Sequence, residues 1–187
     1  MRRLHLSTLS FVSVVAFGGT AHADTSSWLA VGPGYSIQRN AFNKTGDGAA
    51  VLSMSLGVGT SPKAKFVVGG LVRTVTYFSL GTDLGLAARF ATGGFARGDW
   101  GVAFDAGVVA RTWGGGNYGR FPLQPVATFG APWGLQAALG AQLWNLSGNP
   151  VAVGGFAVIE MDLLRLTLMR QGSTDAMWFN ASPAGGR

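Results

Sequence analysis

Residues 52–58 read Leu-Ser-Met-Ser-Leu-Gly-Val, and residues 100–108 read Trp-Gly-Val-Ala-Phe-Asp-Ala-Gly-Val. In both stretches a large apolar side chain at most even positions alternates with Gly, Ala, Ser or Asp. Successive residues of a β-strand face opposite sides of the sheet, so this period gives each strand one bulky apolar face and one small or polar face. Residues 84–90, 133–143 and 164–168 repeat the pattern. The sequence therefore predicts an all-β protein.

The small and polar face decides which kind of β protein to expect. It carries Gly, Ala, Ser and Gln with isolated charges, whereas a soluble barrel covers its water-facing surface with Lys and Glu. Only 12% of the residues are charged, about half of the roughly 25% typical of soluble domains. A bulky apolar face suits lipid, where a charge near the midplane costs about 2–4 kcal/mol. We therefore expect an antiparallel up-and-down transmembrane β-barrel with the small and polar face inside.

The spacing of the alternating stretches predicts about ten strands, an even number that suits a bacterial barrel. The ten lie near 28–38, 49–58, 65–78, 83–91, 100–112, 121–130, 133–144, 151–159, 163–170 and 174–180. The apolar positions change parity at 160–162, which predicts a tight hairpin there. Connections after even-numbered strands are expected to be shorter than those after odd-numbered strands. Eight strands are the alternative, because the pattern is weakest in the first and last strands.

The N-terminal segment has the pattern of a cleaved signal peptide. Arg2 and Arg3 supply positive charge, a mostly apolar stretch follows, and Ala21-His22-Ala23 provides the small residues of a cleavage site. We expect residues 1–23 to be removed and residues 24–187 to form the barrel domain, with 181–187 as a short tail. This export signal and the lipid-facing barrel together predict an outer-membrane location.

Two sets of residues are expected to have defined positions in such a barrel. Aromatic residues near strand ends should lie at the membrane interfaces; these are Trp28, Phe66, Phe78, Trp100 and Trp133. Charges on the inner face should pair in a network within the lumen, because Arg binds carboxylates bidentately. The network is predicted to comprise Arg73, Asp83, Arg89, Asp105, Arg111, Glu160 and Arg165.

Few residues are suited to catalysis or to binding a cofactor. The chain has no Cys, and its two histidines, His5 and His22, lie in the expected signal peptide. Ser-His-Asp, Cys-His and His-metal sites therefore cannot be built from residues 24–187. We predict no catalytic, cofactor or metal site, although chemistry based on Asp and Glu alone stays open. The net charge of +6 comes from scattered basic residues, so no nucleic-acid partner is expected.

With this alternation, these turns and these aromatic positions, residues 28–180 resemble the small outer-membrane β-barrel proteins of bacteria. No motif points to a subfamily. The resemblance implies outer-membrane lipid and the barrel-insertion machinery as partners. The chain departs from such barrels at its end, where Trp178 and Phe179 are followed by residues 180–187 instead of terminating the last strand.

The expected function is a structural or interaction role in the membrane, or a narrow pore for a small solute. The alternative is a soluble periplasmic β-barrel that carries a small apolar ligand.

Overall fold

A computed structural model of the chain describes residues 25–39, 46–78, 80–113, 122–143 and 153–164. These residues form a ring of antiparallel strands in which each strand pairs with the next and the last pairs with the first. The strands are β1 (Ser26–Arg39), β2 (Gly46–Gly59), β3 (Phe66–Tyr77), β4 (Gly81–Thr92), β5 (Gly101–Trp113), β6 (Leu123–Gly130), β7 (Leu135–Leu143) and β8 (Val153–Asp162). The prediction of an all-β, antiparallel, up-and-down barrel is confirmed.

The described residues form eight strands, which is the alternative count, and the expectation of ten is wrong. β8 continues through Asp162, so the hairpin predicted at 160–162 does not form, and residues 163 and 164 are helical. β8 pairs with β1 from Val153 opposite Arg39 to Asp162 opposite Ala30. This pairing closes the ring and leaves neither strand with a free edge. Residues 1–24 and 165–187, which include the expected signal peptide, last strand and tail, lie outside the described residues.

The register fixes the shape of the barrel. From Leu29, the paired residues lead around the ring through Leu56, Val72, Leu86, Val108, Leu123, Leu143 and Val153 and return to β1 at Arg39. The path thus comes back ten residues further along β1 than it started, as expected when strands tilt by about 35–45°. Eight strands enclose an interior that side chains alone can fill.

The two ends of the barrel differ. β1 begins and β8 ends at the same end, which we call the terminal rim, and the opposite end is the distal rim. The connection from β4 to β5 at the terminal rim contains a short helix, α1 (Gly93–Arg97). Connections after even-numbered strands are thus not uniformly the shorter ones. The connection 93–100 after β4 is long, and the distal connection 78–80 after β3 is short. Within the described ranges, no helix is long and apolar enough to cross a bilayer.

The predicted direction of the two faces is confirmed. Leu56, Leu86 and Leu139 point outward and are 57%, 66% and 64% exposed, whereas the opposite face packs inside the barrel. At the outward positions of the described strands, the one charged residue is Arg39, at the distal end of β1. The barrel thus has an uncharged outer wall, and its interior holds buried charged and polar groups beside two clusters of apolar side chains.

Glycine allows the ring to close where β1 meets β8. Gly34 pairs with Val158, and a Cβ placed on Gly34 would collide with the carbonyl oxygen of Ala157. Gly70 offers a matched contrast, because it lies on the outer face and a Cβ there would approach nothing closer than 3.9 Å. A side chain should therefore be tolerated at Gly70 but not at Gly34.

We expect Gly34→Ala to destabilise the barrel by about 1–3 kcal/mol, as overpacking does in other interiors, and Gly70→Ala to be close to neutral. The measurement is the free energy of unfolding of each variant in urea. Equal free energies for the two variants would contradict a tight contact between β1 and β8.

Candidate functional site

The interior contains a buried carboxylate bound by two arginines. Arg89 donates from Nε to Oδ1 of Asp105 at 2.6 Å and from Nη2 to Oδ2 at 2.8 Å. Arg73 donates from Nη2 to the same Oδ2 at 2.8 Å. All three side chains are at most 3% exposed. One carboxylate thus compensates two guanidinium groups in a region that water does not reach.

Two aromatic rings lie close to the Arg89 guanidinium. Its Cζ is 5.0 Å from the centre of the Trp28 ring and 5.3 Å from the centre of the Phe95 ring, which are distances suited to cation–π attraction. Phe95 belongs to α1, whose first turn is capped by Thr92 accepting from the Phe95 N–H at 3.3 Å. The helix thereby brings Phe95 into the terminal end of the barrel, where it is fully buried.

This position corrects the expectation for Trp28. Instead of lying at a membrane interface, its indole is in the interior and 1% exposed. The space comes from glycines on β2 and β3, since a Cβ on Gly59 or Gly69 would lie 2.6 or 2.9 Å from the indole. The sequence held this signal, because the other even positions of β1 carry the small and polar residues that face inward.

A second polar cluster lies towards the distal rim. Arg111 binds Asp83 through two nitrogens, Nε to Oδ1 and Nη2 to Oδ2. The side-chain amide of Gln142 donates to Asp83 Oδ2 and to the Tyr77 hydroxyl, each at 2.6 Å. The Arg111 guanidinium also lies 5.1 Å from the Tyr77 ring centre. Tyr77 and Gln142 are buried and were not singled out from the sequence, although both have inward parity.

Glu160 has a different partner from the one expected. Its Oε2 accepts from the amide of Gln136 at 2.8 Å, and both residues are buried. Its Oε1 has no hydrogen-bond partner among the described residues. Arg165, the nearest cation in the predicted network along the chain, lies outside the described residues.

Strand register explains why these pairs form. Asp83 is directly opposite Arg111, and Arg89 is directly opposite Asp105, in the pairing of β4 with β5. Gln136 is likewise opposite Glu160 in the pairing of β7 with β8. Directly opposed side chains on one face are close enough to interact, so the hairpins themselves bring the partners together.

The outward aromatic residues gather near the rims. Phe66 and Trp100 are 50% and 61% exposed near the terminal rim, and Phe78 is 55% exposed at the distal rim. Phe66 stacks on Phe90 with ring centres 5.3 Å apart, and Trp100 lies 5.7 Å from Phe129. Phe90 and Phe129 therefore extend the set inferred from the sequence. The side chain of Trp133 lies outside those described.

Trp113 also faces outward, although a simple alternation from Arg111 would turn it inward. The pairing of β4 with β5 shifts between Thr82 and Asp83, so Thr82 pairs with Trp113 while Asp83 pairs with Arg111. Such a β-bulge leaves one extra residue on β5 and reverses the parity beyond it. Trp113 is consequently 58% exposed at the distal rim.

Threonine hydroxyls on the outer wall are satisfied by neighbouring strands. Thr112 donates to the carbonyl oxygen of Thr82 at 3.0 Å, and the hydroxyls of Thr82 and Thr76 are 3.1 Å apart. Near the terminal rim, Thr92 accepts from the N–H of Val102 at 3.1 Å. These polar groups therefore do not depend on water for a partner.

The interior is suited to holding charges and filling space. An internal gap beside Arg73, Gly85, Gly107 and Gln124 is too narrow to admit a water molecule. Among the described residues, no group of three or more His, Cys, Asp or Glu side chains is placed to hold a metal ion. Comparisons with protein-family models, curated proteins and solved structures gave no match.

Removing the shared carboxylate tests the interior network. We expect Asp105→Asn to lower the free energy of unfolding by about 3–5 kcal/mol, because it leaves two buried arginines without a compensating charge. Asp99→Asn is the matched control, since Asp99 is exposed at the terminal rim, and it should change stability by less than about 0.5 kcal/mol. Urea unfolding of both variants measures the difference, and a small effect at Asp105 would refute the importance of this contact.

Proposed function

We propose that this chain is an integral outer-membrane β-barrel protein with an occluded interior and a structural or interaction role. In this proposal residues 1–23 direct export, the barrel-insertion machinery assembles the ring, and outer-membrane lipid surrounds it. The observation that carries the proposal is the distribution of charge. Asp83, Arg89, Asp105 and Arg111 lie on the inner face, whereas the outer wall of the described strands is uncharged up to Arg39.

The outer wall supports a lipid environment for energetic reasons. Exposing an uncharged belt of Leu, Val and Phe to water is unfavourable, whereas contact of the same belt with hydrocarbon is favourable. A charge placed on such a belt would be penalised in the bilayer. The internally bonded threonines agree with this environment, because an unsatisfied hydroxyl is costly away from water. Exposed aromatics near both rims also suit the interfaces of a bilayer.

The interior favours a structural or interaction role over a pore. Trp28, Arg89 and Phe95 fill the barrel towards the terminal rim. Tyr77 and Gln142, with the salt bridge of Asp83 and Arg111, fill it towards the distal rim. A solute would have to displace both clusters to pass.

A soluble periplasmic carrier is the competing hypothesis. A carrier of an apolar ligand needs an apolar cavity inside and a charged surface outside. The described strands fit this poorly, because buried charges such as Arg89 and Asp105 lie among the apolar side chains of the interior and Leu86 and Leu139 are exposed outside.

Substitution of an outward leucine separates the two hypotheses. Leu139 is 64% exposed near the middle of β7, so Leu139→Arg would be almost neutral in water but should cost about 2–4 kcal/mol in a bilayer. Gln136→Arg on the same strand is the control, because it points inward beside Glu160 and provides that carboxylate with a cation. The measurement is the fraction of each variant that inserts into membranes. Equal insertion of both variants would contradict a lipid-facing outer wall.

Conductance distinguishes an occluded barrel from a pore. Because both interior clusters are packed and hydrogen-bonded, we expect no stepwise current when the wild-type protein is added to a planar bilayer. Insertion should be verified by protease protection in the same preparation. Discrete channel steps from inserted protein would replace the occluded barrel with the pore hypothesis.

A further inference from the structure

The terminal rim carries an open pocket of about 510 Å³ between the connection from β2 to β3 and the connection that contains α1. Cationic and aromatic side chains share its wall. They are Lys63, Lys65, Arg97, Phe66 and Trp100. None of the described residues that line the pocket is acidic. The lining therefore combines positive charge with apolar side chains, and Phe66, Trp100 and Val102 of that lining are also exposed on the outside of the barrel.

Two of the cations have defined positions. Arg97 donates from Nη1 to the carbonyl oxygen of Pro62 at 3.0 Å, which ties α1 to the neighbouring connection. The Lys65 ammonium lies 5.8 Å from the centre of the Phe66 ring. Both side chains are exposed at the rim, where a guanidinium and an ammonium can bind a phosphate through charge-assisted hydrogen bonds.

An apolar groove of about 690 Å³ lies on the outer wall over β2, β3 and β4, further from the terminal rim than the pocket. Gly70 and Ala88 are paired across β3 and β4. Because Gly70 has no side chain and that of Ala88 is a methyl group, they leave a depression between bulkier neighbours. Those neighbours are Leu56, Val58, Val72 and Leu86. The pocket and the groove share β3, on which Phe66 lines the first and Gly70 the second.

The spacing between the two features matches one leaflet of a membrane. Phe66 and Gly70 are four residues apart on β3, which is about 13 Å along the strand and less along the tilted barrel axis. Half of a hydrocarbon core of about 30 Å is roughly 15 Å. A molecule with its polar end in the pocket could therefore place a hydrocarbon chain in the groove without leaving that leaflet.

We propose that the pocket and the groove together bind one phospholipid with a net negative headgroup. Arg97 and Lys65 hold its phosphate, Trp100 and Phe66 border the headgroup, and an acyl chain lies over Gly70 and Ala88. This proposal rests on the proposed function, because the acyl chain requires the outer wall to be in a membrane.

The charge of the pocket favours this occupant over a second copy of the chain. A second copy that presented the same rim would bring Lys65 and Arg97 against their own counterparts, and like charges repel. A free phosphate would use the cations but would leave the groove empty. The phospholipid uses both features.

The test is native mass spectrometry of the full chain, purified from membranes in detergent and titrated with phosphatidylglycerol or with phosphatidylcholine of the same acyl chains. We expect phosphatidylglycerol to bind more tightly and with a stoichiometry of one. The double variant Lys65→Gln/Arg97→Gln should weaken its binding about 25-fold, a factor of about five for each cation removed. Arg39→Gln at the distal rim is the matched control and should leave binding unchanged.

The groove has its own variant. In Gly70→Leu the new side chain points into open space on the outer wall and fills the groove. The variant protein should therefore fold normally. The variant should weaken the binding of both lipids about fourfold or more, which corresponds to the loss of one buried methylene of the acyl chain. Inorganic phosphate added to the complex should leave the bound lipid in place.

Several results would overturn the proposal. Equal affinity for the two lipids, unchanged binding by the double variant, unchanged binding by Gly70→Leu or displacement by inorganic phosphate would each reject it. If the protein remains in the membrane fraction after alkaline extraction, such a result rejects only the lipid site. If the protein is released by alkaline extraction, the membrane location and the lipid site fail together.

Discussion

The hydrogen-bonded pairing of β8 with β1 is the constraint on which the rest of the molecule depends. It joins strands more than a hundred residues apart, removes both edges of the sheet and fixes how far the register advances around the ring. Once the ring is closed, every strand has one face that points into a narrow interior and one that points away. The contact is tight, because Gly32 and Gly34 leave no room for a side chain against the β8 backbone. The glycines of β1 are therefore part of the closure.

The narrow interior explains why its charges are arranged in pairs. A buried guanidinium without a partner is costly, so each of these cations must meet a carboxylate supplied by another strand. Direct opposition on β4 and β5 does this for Arg89 with Asp105 and for Asp83 with Arg111. Arg73 reaches the same Asp105 from β3, which links three strands through one carboxylate. Among the described residues, Nε of Arg73 and Oε1 of Glu160 have no hydrogen-bond partner, so the network offsets the cost of burying its charges only in part.

The period of two was sufficient to predict the class of fold and the direction of its faces, because alternation is a property of single strands. It could not give the number of strands, since that depends on which strands meet at the closure. The parity change near Glu160 predicts a hairpin, but it marks the end of β8. Trp28 lies inside the barrel because its even position in β1 has inward parity, although tryptophan is typical of membrane interfaces. Phe95 could not have been predicted in the same way, since it reaches the interior from α1 and helices in connections do not follow strand alternation.

The interior of the barrel is packed, whereas its outer surface carries a depression and a cationic pocket. Trp28 and Phe95 lie beside Arg89 towards the terminal rim, and Tyr77 binds Gln142 towards the distal rim, so the described interior is packed towards both ends. The outer wall and the rims are the exposed surfaces of the described strands. They carry the depression at Gly70 and Ala88 and, just beyond the uncharged wall, Lys65 and Arg97. The depression and the cations lie within about 13 Å of each other along β3, which places an apolar and a cationic feature on the same side of the barrel.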